Sequence, residues 1–248
     1  MSRADTTAGD FLAVVPARGG SKGIPRKNVR PFLGRPLLAW TVDVARESGV
    51  FGRVVVSTED AEIARVAAEC GAEVPFERPA ELARDDSPTA PAVRHALEWM
   101  ETQAGWSPRF VMVLEPTAPA RRAFHVREAA ELLASGDADT VASVTELPHH
   151  YNPEKVLRRA ADGTLTGIDG RHIRDMVHRR QDLPRYHAFD GLLFGCRREL
   201  LFADPPTLWG PRVAGYVVEP RFAIDIDRPE DWGSAEVRMR EILEAEGR

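Results

Sequence analysis

The 248-residue sequence predicts an α/β fold, a mostly parallel twisted sheet with helices on both faces. Three observations carry that reading. Short apolar runs alternate with amphipathic stretches of helical length, the pattern of βαβ units. The first apolar run leads into a glycine-rich turn and then a helix, the order in which α/β folds place phosphates at a strand's carboxyl end. With 43% hydrophobic and 29% charged residues, the chain has the material for a core in an ordinary globular domain.

Taken in order, residues 11–15 (FLAVV) read as a buried strand, and Pro36–Ser48 as a helix with proline in its first turn. Arg53–Ser57 follows as a strand, and Glu59–Cys70 as a helix stopped by Gly71. A helix is expected over 88–103, a strand over Phe110–Glu115, a helix over Phe124–Ser135 and a strand over Thr140–Val144. Near residue 145 the pattern changes. Two short strand-like pieces flank an Asp-Gly turn, and an irregular, arginine-rich stretch runs to about 187. Residues 145–187 therefore read as an excursion from the main sheet, a small lobe or an interface. Strands resume at Leu192–Cys196 and Val213–Val218, and a charged helix is expected from Arg228 onward. Residues 1–10 read as a loose tail, and 11–248 as one domain carrying the excursion.

Composition excludes several classes. A net charge of −5 and an isoelectric point near 5.9 argue against a nucleic-acid binder that works by bulk charge. No apolar run approaches the ~20 residues that span a bilayer, and the polar N-terminus has no signal-peptide core. Cys70 and Cys196 show no C-x-x-C spacing and read as reduced, structural thiols, which places the protein in the cytoplasm. The histidines, including His149, His150, His172 and His178, have no metal spacing with cysteine, and no G-x-S-x-G motif suggests a hydrolase. The tryptophans at 99, 106, 209 and 232 read as packing residues.

Against this acidic background, residues 11–40 hold six cations (Arg18, Lys22, Arg26, Lys27, Arg30 and Arg35) and no carboxylate. Gly19, Gly20 and Gly23 let backbone amides approach an anion. Their G-G-x-x-G spacing is not the dinucleotide fingerprint, Pro25 and Pro31 keep the segment out of a helix, and Ser21-Lys22-Gly23 is not a Walker A loop. What remains is an extended cationic loop suited to wrapping a polyphosphate. Far downstream, Asp225 and Asp227 stand at i, i+2, so on a strand both carboxylates share a face while Ile224 and Ile226 enter the core. Two hard oxygen ligands on one face suit Mg²⁺.

The stretch "VPARGGSKGIPRKN" (15–28) resembles the signature loop of the CMP-N-acylneuraminate synthetase family, the cytidylyltransferases that activate sialic acid and related nonulosonic acids. The resemblance continues through "VVVSTEDAEIA" (54–64), "RPAELARDDSPTA" (78–90), "LEPTAPAR" (114–121), "RRQDLPRYHAFDG" (179–191) and "AIDIDRPEDW" (223–232), in family order. It implies a single Rossmann-like nucleotidyltransferase domain, a homodimer and a Mg²⁺-dependent reaction. In that reaction a sugar acid's anomeric hydroxyl attacks the α-phosphate of CTP. By the same resemblance Arg18, Lys22, Lys27 and Asn28 hold the triphosphate, and Ser21 and Gly23 shape the turn. Lys22 and Lys27, with Arg18, are the candidates for meeting charge on the leaving pyrophosphate. Arg78 and Thr89 are carried over to the base and ribose, although Asp85–Ser87 also suits a helix start at Pro88. Asp225 and Asp227 are carried over to the metal.

Lys155, Arg180 and Tyr186 fall where the family meets the acceptor, with arginine suited to a carboxylate. Three positions depart from the family pattern. Glu115 stands where glutamine is usual, Ala118 where serine is usual and Asp190 where asparagine is usual, and the two acids make the expected sugar site more acidic. That departure keeps open a CTP-dependent enzyme acting on another acid, such as a phosphonate. A non-catalytic nucleotide-binding protein is a further alternative, opposed by the retention of Lys22, Lys27, Asp225 and Asp227. CTP and a small acidic sugar are the expected partners, with no nucleic acid and no membrane.

Overall fold

β1 (Phe11–Pro16) is apolar throughout and buried except at its last residue, as a strand covered on both faces must be. It is the second strand from one edge of the main sheet in a computed structural model that describes residues 8–20, 23–177 and 179–248. To one side lies β4 (Arg53–Ser57) and to the other β5 (Phe110–Val113), both parallel to β1. Beyond β5 come β9 (His187–Arg197), β6 (Thr140–Glu146) and β10 (Val213–Val217). Strand order is thus β10-β6-β9-β5-β1-β4. Two small antiparallel ribbons, β2 (Pro31–Phe32) with β3 (Arg35–Pro36) and β7 (Leu157–Arg159) with β8 (Leu165–Gly167), stand apart from it.

The helices cover both faces. On one side, α1 (Leu37–Ser48), α2 (Ala61–Glu69) and α4 (Ala123–Ser135) bury Leu38, Val42, Ile63, Val126 and Leu133 against Phe11, Ala13 and Met112. On the other, α3 (Thr89–Thr102) sets Val93, Leu97 and Met100 against Leu12, Val14 and Val111. The alternation along β1 thus feeds two separate core layers. α5 (Pro229–Ala245) closes a third cluster, packing Trp232, Met239 and Ile242 onto Ile24 and Phe32.

The observed elements match the expected α/β pattern and add two findings. First, β9 is eleven residues long and antiparallel to both neighbours, where a short strand was expected. The chain leaves the sheet along β6, makes the excursion and returns beside it, and adjacent strands joined this way need no crossover helix. The neck is closed by the Leu147 amide donating to the Tyr186 carbonyl at 2.9 Å. Second, residues 223–227 form no strand, contrary to the expectation for "IDID". The stretch is extended and docked by the Ile226 amide on the Thr117 carbonyl at 3.0 Å. It keeps the alternation all the same, with Ile224 and Ile226 buried and Asp225 and Asp227 exposed.

At the N-terminus residues 1–7 lie outside the described residues, as does His178. Residues 8–10 form a short 3₁₀ turn tied down by Trp106 Nε1 on the Gly9 carbonyl at 3.1 Å and the Arg109 amide on the Asp10 carbonyl at 2.9 Å. Cys70 and Cys196 are unpaired, and burial pushes the Cys196 thiol up to about 12. Among the described residues no helix is long and apolar enough to cross a membrane.

Candidate active site

Because β1, β4 and β5 are parallel, their carboxyl ends open on the same edge of the sheet, where ligands bind in open α/β folds. The glycine-rich loop leaves β1 there and is fixed by its own residues. Asn28 is buried and donates from Nδ2 to the Arg18 carbonyl at 2.9 Å, drawing the loop's two ends together. The Gly19 amide donates to Glu59 Oε1 at 2.7 Å, and a Cβ at position 19 would come within 2.6 Å of Asp60 Oδ2. Arg26, with φ of 57°, pairs with Asp60 at 2.5 Å and also with Glu62. The Arg26 guanidinium holds the Asp60 carboxyl down at about 2. Asp60 also caps α2, accepting from the amides of Glu62 and Ile63.

The loop's far side meets a segment from the other end of the chain. Lys27 Nζ donates to the Ile226 carbonyl at 2.9 Å and to Asp227 Oδ1 at 3.2 Å. Gly23 is pressed on the same segment, since a Cβ there would lie 2.6 Å from the Asp227 carbonyl oxygen. Arg18 pairs with Asp85 at 3.1 Å and donates to the Arg84 carbonyl at 2.8 Å. Arg78 is buried, with Nε on the Ser57 hydroxyl at 3.0 Å. Burial lowers its pKa and the Glu59 charge opposes that.

Part of this arrangement lines a cavity of about 270 Å³. Arg18, Lys27, Asn28 and Arg78 are among its polar lining residues, as are Thr89, Glu115 and Asp227. Ser21 and Lys22 lie outside the described residues. A second cavity, of about 400 Å³, adjoins the first and shares Thr89 and Glu115 with it. Glu115 is thus a partition. Its carbonyl accepts from Arg121 NH2 at 2.8 Å and from the Thr41 hydroxyl at 3.3 Å. Burial raises the Glu115 carboxyl, and the nearby Asp225 charge adds to the rise.

The remaining expected residues sit elsewhere. Asp190 is buried in β9, where one oxygen accepts from the Ser143 hydroxyl and, at 3.0 Å, from the Leu192 amide. Lys155, Arg180 and Tyr186 belong to the 145–187 lobe, where the Tyr186 hydroxyl donates to Glu154 at 3.4 Å. These four residues line neither cavity.

The residues present fit a divalent cation. Lost hydration, and after it the Asp227 charge, raises the Asp225 carboxyl, and a cation held by the two acids would offset both effects. The buried Thr117 hydroxyl lies beside Asp225, short of a full hydrogen bond. Among the described residues no group of three or more histidine, cysteine, aspartate or glutamate side chains stands ready to hold a metal. A carboxylate pair completed by phosphate oxygens and water is the pattern of Mg²⁺.

Sequence reasoning missed three contributors. Arg121 is fully enclosed and ties three elements together, reaching the Leu192 carbonyl, the Thr41 hydroxyl at 3.0 Å and the Glu115 carbonyl. An arginine among the small apolar residues of "LEPTAPAR" was the available signal. Asp60 was hidden as a helix start. Trp209 was read as packing, yet it lines the second cavity.

A family model described as cytidylyltransferase matches residues 12–106. The chain is 31% identical over 227 residues to a pseudaminic acid cytidylyltransferase of Campylobacter jejuni (strain 81-176), covering 91% of this chain and 94% of that protein. It is 31% identical over 229 residues to N-acylneuraminate cytidylyltransferase A of Danio rerio, covering 92% of this chain and 50% of that protein. Among solved structures, a CMP:2-keto-3-deoxy-manno-octonic acid synthetase in complex with CTP superposes with a TM-score of 0.67 at 14% identity, covering 94% of this chain and 99% of the other. A 4-diphosphocytidyl-2C-methyl-D-erythritol synthase of Anaerococcus prevotii gives 0.61 at 11%, with the same coverages. At those identities the two structures establish the fold alone.

Proposed function

The chain belongs to the cytidylyltransferase family, and on that premise we propose that it transfers CMP from CTP to the anomeric hydroxyl of a nonulosonic acid, releasing pyrophosphate. One observation carries the proposal. The glycine loop's cations and the Asp225–Asp227 segment, from opposite ends of the chain, meet at one cavity that adjoins a second across Glu115.

Nucleotidyl transfer rests on positioning and on neutralising charge at phosphate oxygens. In this reading Arg18, Lys27 and Asn28, with Lys22 and Ser21, hold the triphosphate, and Gly23 lets the loop lie against the Asp227 backbone. Arg78 and Thr89 bound the nucleoside end. Lys22 and Lys27 balance the charge that builds on the leaving pyrophosphate. Asp225 and Asp227 would hold Mg²⁺, which when bound shields the phosphate charge. Glu115 faces the acceptor.

Lys155, Arg180 and Tyr186 would complete the acceptor site from a second copy of the chain. The lobe that carries them exposes Tyr151, Leu157, Leu165 and Ile168, an apolar face suited to a homodimer. Sedimentation velocity at micromolar concentration is expected to give a dimer, and a monomer alone would remove this part. A cytoplasmic setting follows from a CTP-consuming reaction and two unpaired thiols.

Pyrophosphate release tests the whole. With Mg²⁺ and a panel of nonulosonic acids, release is expected with CTP and not with ATP, GTP or UTP, and chelating the metal stops it. CTP binding without turnover of any such acid would overturn the acceptor assignment and direct attention to phosphonates.

A further inference from the structure

Residues 223–227 have no strand ladder to fix which way their side chains point, so the direction of the Asp225 carboxylate must be set by its neighbours. One neighbour is the turn that follows β5. There the Ala118 amide donates to the Glu115 carbonyl at 3.4 Å, and Arg121 NH2 donates to the same carbonyl at 2.8 Å. Pro116, Thr117 and Ala118 are all buried, so the turn is a fixed support.

Thr117 meets the acidic segment twice and also lines the nucleotide cavity. Its carbonyl accepts from the Ile226 amide at 3.0 Å, which draws the Asp225–Ile226 peptide against the turn. Its hydroxyl lies beside the Asp225 carboxylate: lost hydration and then the Asp227 charge raise that group, and the hydroxyl opposes the rise. β9 supplies another contact, since a Cβ at Gly191 would lie 3.8 Å from Asp225 Oδ2. Yet among the described residues the Thr117 hydroxyl is one of the few buried side-chain groups without a full hydrogen bond. Buried hydroxyls seldom go unpartnered, and this one has a carboxylate within reach as acceptor.

Resting on the reading of Asp225 and Asp227 as the residues that hold Mg²⁺, we infer that Thr117 is a positioning residue for the metal site. Its hydroxyl donates to one oxygen of Asp225 and fixes the direction in which that carboxylate stands beside Asp227. Its carbonyl holds the backbone of the same segment, so one residue governs both where Asp225 sits and how its carboxylate is turned. A hydroxyl suits this task where an ammonium or guanidinium does not, because it orients the carboxylate without adding a positive charge that repels a cation. Partners that orient ligating groups in this way are worth about ten- to a hundredfold in metal affinity.

The test is binding of Mn²⁺, standing in for Mg²⁺, with CTP present and no acceptor, read by water-proton relaxation against a background of Mn²⁺ and CTP alone. Thr117→Val keeps the side chain's shape, removes the hydroxyl, and is expected to weaken Mn²⁺ binding about tenfold. Thr117→Ser restores the hydroxyl and is expected to recover most of that loss. Should Thr117→Val fail to fold, Thr117→Ser is compared with Thr117→Ala, a pair that differs by the hydroxyl alone. Wild-type Mn²⁺ affinity without the hydroxyl, or equal weakening with and without it, overturns the inference. Asp225→Ala in the same assay separates the two readings: if it binds Mn²⁺ weakly while the hydroxyl proves irrelevant, the metal assignment stands and only the role of Thr117 falls. If Asp225→Ala binds Mn²⁺ as wild type does, the metal assignment falls and the inference with it.

Discussion

Gly23 shows how a missing side chain can matter as much as a charged one. A Cβ there would lie 2.6 Å from the Asp227 carbonyl, a backbone atom with no rotamer to give way. Gly23→Ala must therefore push the glycine loop off the Asp225–Asp227 segment. We expect it to fold with a Tm near wild type and to lose about a hundredfold in kcat, since displacements near 1 Å cost that much where reacting groups are positioned. Steady-state rates with a melting curve check this; a near-wild-type kcat would mean that the contact is irrelevant to turnover. Asp225→Ala and Asp227→Ala are each expected to cut turnover at least tenfold at fixed Mg²⁺, and wild-type rates in both would sink the metal assignment. At this scale the sequence was legible where charge and glycine cluster locally, as at Lys27 and Gly23. For Arg121 it offered an arginine among small apolar residues and no hint of its partners on α1 and β9, which come together only in the fold.

Among the elements, the start of α2 does two jobs. Asp60 caps the helix and, through Arg26, latches the glycine loop, while neighbouring Glu59 takes the Gly19 amide. Asp60→Asn keeps an acceptor for the cap but loses the ion pair. It is expected to raise the KM for CTP several-fold and to cost about 1 kcal/mol of stability. An unchanged KM would show that the loop holds its shape without the latch. Apart from β9, which begins five residues before the expected Leu192, element boundaries were readable to within a residue or two, because periodicity and caps such as Gly49 and Gly71 are local features. The direction of β9 was not, because an apolar run such as Leu192–Cys196 buries equally well in either orientation. Residues 223–227 misled for a related reason. Their alternation is real, but strand pairing needs a ladder of backbone bonds to a neighbour, and this segment is held instead by the Ile226 amide on Thr117 and by side chains such as Lys27.

On the scale of the whole molecule, acid stability turns on His125. It is buried beside Phe222 at 4.7 Å, and its Nδ1 accepts from the Arg122 amide at 3.0 Å, which requires a neutral ring. Burial, then the charges of Arg121, Arg122 and Arg221, holds its pKa at about 3. An unfolded histidine protonates near 6.5. Below that pH the unfolded chain binds a proton that the folded chain refuses, so stability is complete above about 6.5 and drains away towards 3. The full effect is on the order of 4 kcal/mol. Asp60, held at about 2, joins the loss only below about 4. Denaturant midpoints at pH 7 and pH 5 should therefore differ, and His125→Gln should flatten that difference; the same slope in the variant would place the acid sensitivity elsewhere. None of this was legible beforehand, because His125 stands in an unremarkable helical sequence and only its packing forbids the proton.

The neck between β6 and β9 has a consequence for how such a molecule diverges. The excursion departs and returns on strands that already pair with each other, closed by Leu147 and Tyr186. Its length and composition are thus free to drift without altering any register in the nucleotide half. Descendants of one ancestral chain can lengthen, shorten or exchange this lobe while the parallel strands that carry the glycine-rich loop keep their register.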